Sequence, residues 1–280
     1  MKEADGGFLP ITERADPRFA KMDEMTTAEL MYLINEEDAR VASAVRETIP
    51  ALARLAEHAA EGIRRGGRLI YVGAGTSGRL GVLDASECPP TFGVPYETVQ
   101  GHIAGGAAAL TRAAEGAEDD AEAGAALIGE LNVGPNDTVV GISASGGAAY
   151  VIAAVKRAGE RGAFTAGLVS NPNTPLAEAA METVAPLTGP EALSGSTRMK
   201  CGTAQKMALN MLSTTVMVRL GRARGGLMTD MPATNEKLRQ RAVGIVMRAT
   251  GAAEAEARLA LEEHGMHTGN AIAALEKRNK

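Results

Sequence analysis

The sequence predicts an α/β protein with a doubly wound parallel sheet, preceded by N-terminal helices and followed by a small helical C-terminal module. Short apolar runs alternate with helical patterns between about residues 68 and 220, which is typical of a parallel sheet covered on both faces. A helical pattern precedes the first run, and no strand-like run follows residue 225. We therefore divide the chain into an N-terminal segment with helices (1–45), an α/β domain (46–225) and a helical module (226–280).

The N-terminal part begins irregularly and then becomes helical. Residues 1–25 are polar and contain two prolines, whereas Thr26-Thr27-Ala28-Glu29 has the form of a capping box before an apolar helical run. The helical pattern continues to about Arg65, where Gly66-Gly67 ends it. The sequence thus places helices ahead of the first strand.

The α/β part contains five candidate strands. Apolar runs predict strands at 68–72, 97–102, 138–142, 164–169 and 183–186. Helical patterns lie at 107–114, 118–131, 150–161 and 195–220, and a further helix is expected to begin in or just after residues 73–78. Beyond residue 225 the chain is rich in Ala, Glu and Arg, which favours helices.

Composition narrows the possible function classes. The 280 residues are 45% hydrophobic, which is enough for a sizeable core, and the net charge is −5. No basic tract indicates nucleic-acid binding, and neither a basic amphipathic helix nor a long apolar run indicates a membrane. The N-terminus has no apolar core of a secretory signal, so we expect a cytoplasmic protein. Two isolated cysteines and four scattered histidines predict neither a metal site nor a disulfide.

Two strands are predicted to end in similar loops, Gly73–Gly78 and Ser143–Gly147, each of which precedes a helix. In an open α/β sheet this places both loops at the carboxyl edge, where ligands bind. Backbone N–H groups at a helix N-terminus attract an anion, and glycines such as Gly78 and Gly146 let the backbone approach it. The hydroxyls of four residues add donors: Thr76, Ser77, Ser143 and Ser145. The pattern favours a bound phosphate.

The first loop also matches the dinucleotide fingerprint GxGxxG, with Glu97 at the spacing of an acidic ribose ligand. Two hydroxyls inside the loop suit a monophosphate better than a pyrophosphate, and Glu97 stands ahead of its strand instead of at its end. A purely structural turn is the other alternative for the first loop alone. The presence of a second, similar loop weakens that alternative.

Three further groups are candidates for ligand contacts or chemistry. The segment Ser194–Lys200 puts hydroxyls at a helix start, where Ser196 or Thr197 alone is best explained as a helix cap; Lys200 is either a ligand contact or a solvated charge. Glu87 precedes a double proline that is expected to end its helix and leave Glu87 near the sheet edge. The acidic group 115–120, with Glu118, is a candidate, although acids are also common at solvated helix N-termini.

Five segments together resemble the N-acetylmuramic acid 6-phosphate etherase family, and the resemblance extends from about residue 9 to Gly251. They are GAGTSGRLGVLDASECPP (73–90), GAED (116–119), GISASG (141–146), GSTRMKCGTAQK (195–206) and ATNEKL (233–238). The resemblance implies a sugar isomerase domain, a homodimer and no metal or nucleotide. It also implies cleavage of the D-lactyl ether by elimination and hydration, giving N-acetylglucosamine 6-phosphate and D-lactate.

Carried onto this sequence, the family's catalytic acid is Glu87 and its catalytic base is Glu118. Its phosphate contacts map onto the four hydroxyl residues of the two loops. Because acid and base need opposite protonation states, their environments should differ. We expect Glu87, in its apolar Cys-Pro-Pro setting, to be the protonated one.

The sequence departs from the family pattern after the second loop, and two other functions stay open. Gly147 and Ala148 stand where the family has an arginine and a hydroxyl residue, so Thr76 and Ser77 are expected to carry more of the phosphate binding. One alternative function is a sugar-phosphate-binding regulator on the same fold, like glucokinase regulatory proteins. The other is an aldose–ketose phosphosugar isomerase.

Overall fold

The structure, a computed structural model, describes residues 10–233 and 235–278. Residues 1–9 of the predicted N-terminal segment and Thr234 of the ATNEKL segment lie outside this range. Three short 3₁₀ turns, Ile11–Glu13, Pro17–Phe19 and Met22–Glu24, lead into the helices α1 (Thr27–Asp38), α2 (Val41–Arg46) and α3 (Ile49–Arg64).

The predicted capping box at the start of α1 is confirmed. The Glu29 backbone N–H donates to the Thr26 hydroxyl at 3.3 Å, and the Glu29 carboxylate accepts from the Thr26 backbone N–H at 2.8 Å. This reciprocal pair satisfies two amide groups that a helix start otherwise leaves without partners.

A five-stranded sheet lies at the centre, and all its neighbouring strands are parallel. The strands are β1 (Leu69–Gly73), β2 (Val99–Ile103), β3 (Thr138–Ile142), β4 (Phe164–Leu168) and β5 (Glu182–Val184), in the order β2-β1-β3-β4-β5. The helices between them are α4 (Gly75–Phe92), α5 (Ala121–Glu130), α6 (Ala149–Glu160), α7 (Pro175–Ala179) and, after β5, α8 (Lys200–Arg219). The predicted parallel α/β sheet is therefore confirmed.

Successive residues of a strand point to opposite faces of the sheet, so alternate side chains pack into two separate cores. Leu69 and Tyr71 of β1 pack with α3, α4 and α8 on one face. Ile70 and Val72 pack with α5, α6 and α7 on the other. The sheet is doubly wound, and the carboxyl ends of its strands all meet at one edge.

Several predicted boundaries differ from the structure. Residues 107–110 form only a 3₁₀ turn, and a second 3₁₀ turn (Ala117–Asp119) precedes α5, whose first turn Asp120 caps by accepting from the Ala123 N–H at 2.9 Å. The expectation that the double proline ends α4 is wrong, because the helix continues through Pro89 and Pro90. Proline has a helical φ, but each ring removes one hydrogen bond and crowds the carbonyl of residue i−4; both prolines lie in the last turn of α4. Gly93, at φ +64°, ends the helix.

The C-terminal part consists of α9 (Glu236–Thr250), α10 (Glu254–Glu263) and α11 (Thr268–Arg278), which pack around a core of their own. That core includes Val246, Leu261 and Ile272, each at most 2% exposed. Among the described residues, no helix has the length and apolarity that crossing a bilayer requires.

Candidate active site

The first predicted loop is the N-terminal turn of α4. Ala74 is its N-cap and supplies no side-chain hydrogen bond, so the N–H groups of the first turn point outward without an internal acceptor. Gly78 packs directly on the strand: a Cβ there would lie 2.6 Å from Ile103 Cγ1 and 2.8 Å from the Gly73 carbonyl oxygen. Close helix–strand packing therefore accounts for this glycine without a dinucleotide.

The second predicted loop is held by its own serines. Gly146 N–H donates to Ser143 Oγ at 3.1 Å, Gly147 N–H donates to Ser145 Oγ at 3.2 Å, and the two hydroxyl oxygens lie 3.4 Å apart. Each hydroxyl still has one proton to donate. A hydrogen bond between the two hydroxyl oxygens uses only one of these two protons. At least one hydroxyl proton of this loop is thus available to an anion.

The two loops lie side by side. Gly73 of β1 pairs with Ile142 of β3 in parallel register, and such strands are about 4.8 Å apart. The N-termini of α4 and α6 therefore converge on one region of the sheet edge. Ala148, the N-cap of α6, provides no side-chain hydrogen bond. The prediction that both loops share the carboxyl edge is confirmed.

The N-terminal segment reaches this edge as well, which sequence reasoning missed. Asn171, 2% exposed, donates to the Thr12 hydroxyl at 3.0 Å and to the Ala144 carbonyl at 3.1 Å. Gly195 N–H donates to the Thr12 carbonyl at 3.0 Å. The segment therefore stabilises the second loop, and isolated polar residues at its start gave no signal for this contact.

Thr76 and Ser77 both lie near α8. Thr76 is half-buried, and its Cγ2 would be 3.6 Å from a Cβ at Gly202. Ser77 is buried, and its hydroxyl donates to Gln205 Oε1 at 3.0 Å. The predicted phosphate contact through the Ser77 hydroxyl is therefore in competition with an internal acceptor.

Lys200 does not behave as predicted. It is 2% exposed, and its Nζ donates to Glu37 Oε2 at 2.6 Å. Lys200 is thus neither a solvated charge nor positioned for a ligand in this chain, because its ammonium group is engaged in a buried ion pair. Glu37 also binds Arg18 at 2.6 Å and Arg40 at 3.3 Å.

The third hydroxyl cluster does not cap α8, so that expectation is wrong for Ser196 and Thr197. The helix begins five residues after Gly195, and buried Glu191 caps it by accepting from the N–H groups of Lys200 (3.0 Å) and Cys201 (2.9 Å). A carboxylate of the chain itself thus occupies this helix N-terminus. The N-termini of α4 and α6 remain the candidate anion sites.

Glu118, the predicted catalytic base, shares a cleft with the start of α4. It lines a cleft of about 150 Å³ together with Gly75 and Arg79 from the start of α4, and it is exposed. The Arg79 guanidinium donates to the Leu110 carbonyl at 3.0 Å and so fixes the wall of this cleft. Glu118 and the first loop therefore face a shared space.

Glu87 lies elsewhere, which corrects two predictions. It is twelve positions after Gly75 on α4, so the two Cα atoms are roughly 18 Å apart along the helix axis. Glu87 is also exposed, so the apolar Cys-Pro-Pro setting does not enclose it. Cys88 and Pro89 are buried because they lie about 100° and 200° further round the helix, on its core-facing side. Within one chain, Glu87 is remote from the phosphate loops.

The buried carboxyl group of this helix is Asp84, which sequence reasoning did not single out. Burial raises the pKa of Asp84, against hydrogen bonds from Asn210 (2.6 Å), Ser213 (3.1 Å) and the Tyr71 hydroxyl (3.1 Å). These bonds tie α4 to α8 and β1, one turn before Glu87. The ASECPP segment alone gives no sign of which of its acids is buried.

A larger cavity of about 790 Å³ lies between the end of α4 and the C-terminal helices, with Pro90, Asp230 and His267 among its lining residues. It lies at the far end of α4 from the two glycine-rich loops, so we assign the anion site to the smaller cleft beside the first loop. Among the described residues, no group of three or more His, Cys, Asp or Glu side chains is placed to hold a metal ion.

Known proteins share this architecture. Residues 106–215 match the SIS domain family, and residues 51–158 match the glucokinase regulatory protein N-terminal SIS domain. A putative phosphosugar isomerase involved in capsule formation from Bacteroides fragilis superposes with a TM-score of 0.52 at 22% identity, covering 70% of this chain and 98% of that one. A putative sugar-phosphate isomerase from Listeria monocytogenes gives a TM-score of 0.51 at 16% identity, covering 70% and 93%. These structural likenesses establish the fold.

Sequence comparison gives the family. The N-acetylmuramic acid 6-phosphate etherase of Symbiobacterium thermophilum is 53% identical over 265 residues, which is 95% of this chain and 88% of that protein. The enzyme of the same name from Yersinia pestis (strain Pestoides F) is 51% identical over 95% of this chain and 90% of its own. With such identity over nearly its whole length, the chain belongs to the family of N-acetylmuramic acid 6-phosphate etherases.

Proposed function

We propose that this protein cleaves the D-lactyl ether of N-acetylmuramic acid 6-phosphate, giving N-acetylglucosamine 6-phosphate and D-lactate, in cell-wall amino-sugar recycling or catabolism. The observation that carries the proposal is the convergence of two helix N-termini without side-chain caps, with Glu118 in the adjoining cleft. Family membership supports the reaction, and the cytoplasm is the compartment in which we propose that it takes place.

The substrate phosphate binds between the two loops in this proposal. Backbone N–H groups at Thr76 and Ser77 donate to it from α4, and the hydroxyls of Ser143 and Ser145 donate from the second loop. Gly78 and Gly146 hold the backbone of the two loops in position for these contacts. Helix dipoles stabilise the dianion locally although the net charge of the protein is negative. Lys200 does not contact the phosphate, because its ammonium group is ion-paired with Glu37.

The elimination requires two proton transfers once the sugar ring opens to the C1 aldehyde. Glu118 takes the C2 proton, which the aldehyde makes acidic. The C3–O bond then breaks, and Glu87 gives a proton to the departing lactate oxygen. Water adds to the resulting C2–C3 double bond at C3, and C2 is protonated again. Placed carboxyl groups accelerate such transfers by about 10²–10⁴ each.

We further propose that Glu87 reaches the site of a partner subunit in a homodimer. A hexose phosphate is shorter than the roughly 18 Å of helix between Gly75 and Glu87, so Glu87 cannot serve the loops of its own chain. Leu83 is 51% exposed and lies one turn before Glu87 on the same face of α4. An exposed apolar residue beside the acid fits a surface that a second copy covers.

Mixed dimers test this arrangement. Equal amounts of Glu87→Gln and Glu118→Gln proteins are inactive alone, and after subunit exchange half the dimers carry one intact composite site. Activity should return to roughly a quarter of the wild-type value. No recovery after verified exchange would place both glutamates in one subunit and refute the composite site. Mixing each variant with itself is the matched control.

The reaction itself is tested by incubating the protein with N-acetylmuramic acid 6-phosphate and measuring D-lactate. The proposal predicts lactate in a one-to-one ratio with N-acetylglucosamine 6-phosphate. Saturable binding without lactate would instead support a sugar-phosphate-binding regulator. That function is the second candidate because residues 51–158 match a glucokinase regulatory protein domain. A ketose phosphate product would support an isomerase.

A further inference from the structure

Gln205 lies beside the phosphate loop and has no place in the proposed function. It stands in the first half of α8 and is 1% exposed. Its Oε1 accepts the Ser77 hydroxyl at 3.0 Å, whereas its Nε2 is buried without a hydrogen-bond partner among the described residues. Because both amide atoms are bonded to one carbon, the unpartnered donor also lies against the first turn of α4.

A buried donor without an acceptor is costly and needs an explanation. The Ser77 hydroxyl has a single proton, and in this structure it donates that proton to Gln205. It therefore cannot donate to a substrate phosphate at the same time. Rotation about the last side-chain bond of Gln205 exchanges the amide oxygen and nitrogen, which have almost the same shape.

We propose that Gln205 is a positioning residue that releases the Ser77 hydroxyl to the substrate phosphate by this exchange. In the exchanged orientation Nε2 donates to Ser77 Oγ, and the Ser77 proton turns to the phosphate. The phosphate gains a charge-assisted hydrogen bond, and the buried donor gains an acceptor. The amide oxygen is then the unpartnered atom, which proteins tolerate better than an unpartnered N–H. The inference rests on the proposed phosphate site.

The consequence is that Gln205 acts on binding through Ser77 alone. Gln205→Met keeps the length of the side chain and removes both hydrogen-bonding atoms. Because it removes the internal acceptor that the Ser77 proton must leave, it should lower KM, and the Ki of inorganic phosphate as a competitor, by about fivefold, which is the scale of one neutral hydrogen bond. We expect kcat to stay within about twofold of wild type. In a Ser77→Ala background the same substitution should change KM by less than about twofold.

Gln205→Glu provides a second, nearly isosteric variant. An ionised carboxylate accepts from Ser77 but cannot donate to it, and it repels the phosphate. Phosphate binding should therefore be weaker than in Gln205→Met at neutral pH and should recover as the pH falls and the introduced carboxyl gains a proton. Charge repulsion alone gives an equal recovery in a Ser77→Ala background, whereas the proposed exchange predicts a smaller recovery there. Gln240→Met, the same change at an exposed glutamine of α9, is the matched control.

The outcomes separate this inference from the proposed function. Wild-type protein that releases no lactate, but whose direct binding of inorganic phosphate shows the coupling between Gln205 and Ser77, supports the inference and contradicts the proposed etherase activity. Active wild type with unchanged KM and Ki in Gln205→Met overturns the inference alone. Equal effects of Gln205→Met with and without Ser77 also overturn it. If Gln205→Met fails to fold, the pH dependence of Gln205→Glu decides.

Discussion

Replacing Lys200 distinguishes a structural from a ligand-binding role most sharply. Lys200 and Glu37 are 2% and 3% exposed and lie 2.6 Å apart. Removing one partner of a buried ion pair usually costs about 3–5 kcal/mol. Glu37 keeps Arg18 at 2.6 Å, so we expect Lys200→Met to destabilise by about 3 kcal/mol, at the lower end. For a chain of this size that corresponds to a fall in Tm of roughly 6–12 °C.

The assay is thermal and denaturant unfolding combined with steady-state kinetics below the Tm of the variant. KM should stay within about twofold of wild type, because Lys200 does not touch the substrate. The double variant Glu37→Gln/Lys200→Met should lose less stability than the two single losses added together. An unchanged Tm with a KM raised more than tenfold would refute the structural role and restore Lys200 as a ligand contact.

The same ion pair makes a prediction for acid stability. Burial acts to raise the pKa of Glu37, but hydrogen bonds from Arg18 and Lys200 outweigh it, and the pKa lies below its usual 4.5. The stabilisation is therefore complete above pH 4.5 and is lost as the pH falls through the lower folded-state pKa. Lys200→Met should reduce this acid-dependent loss. An acid-unfolding profile parallel to that of wild type would contradict the assignment.

Three further changes test particular contacts. Gly146→Ala places a Cβ 2.3 Å from Thr174 Oγ1 at φ +71°, so it should destabilise by about 1–3 kcal/mol and raise KM; an unchanged denaturant midpoint would contradict the geometry. Ala148→Thr gives α6 the side-chain cap it lacks and should raise Tm by roughly 2–4 °C, whereas a lower Tm would argue against the N-cap. Asp84→Ala leaves three donors without an acceptor and should cost about 3 kcal/mol in urea unfolding; a loss below about 1 kcal/mol would show that the network relaxes.

The sequence predicted the sheet and its loops well because the central strands β1, β3 and most of β4 are buried on both faces. Such strands read as short apolar runs, and glycines mark their ends, so β3 was placed at the correct residues and the loops at the correct edge. Helix starts and ends were less predictable. Glu191 caps α8 from nine residues upstream, and no local pattern distinguishes it from the hydroxyls of Ser196 and Thr197.

The types of residue at the candidate site could be predicted from the sequence, but their hydrogen-bond and ion-pair partners could not. The loops that contain Thr76 and Ser143 lie at the predicted edge of the sheet, and Glu118 lies beside the first of them. Lys200 and Glu87 do not lie in the predicted site, because tertiary packing sets their surroundings. Lys200 pairs with Glu37, 163 positions away, and Glu87 projects from the outer face of α4. Gln205 and Asn171 were missed for the same reason, since each acts through a contact with a distant segment.

The central claim is that two glutamates divide the proton transfers of an ether elimination, and solvent deuterium tests it directly. In D₂O, wild-type protein should release D-lactate and place one deuterium at C2 of N-acetylglucosamine 6-phosphate. Glu118→Gln should neither exchange the C2 proton of the substrate nor release lactate. Glu87→Gln should exchange that proton without releasing lactate. Lactate release with no deuterium at C2, or full C2 exchange in Glu118→Gln, would contradict the account.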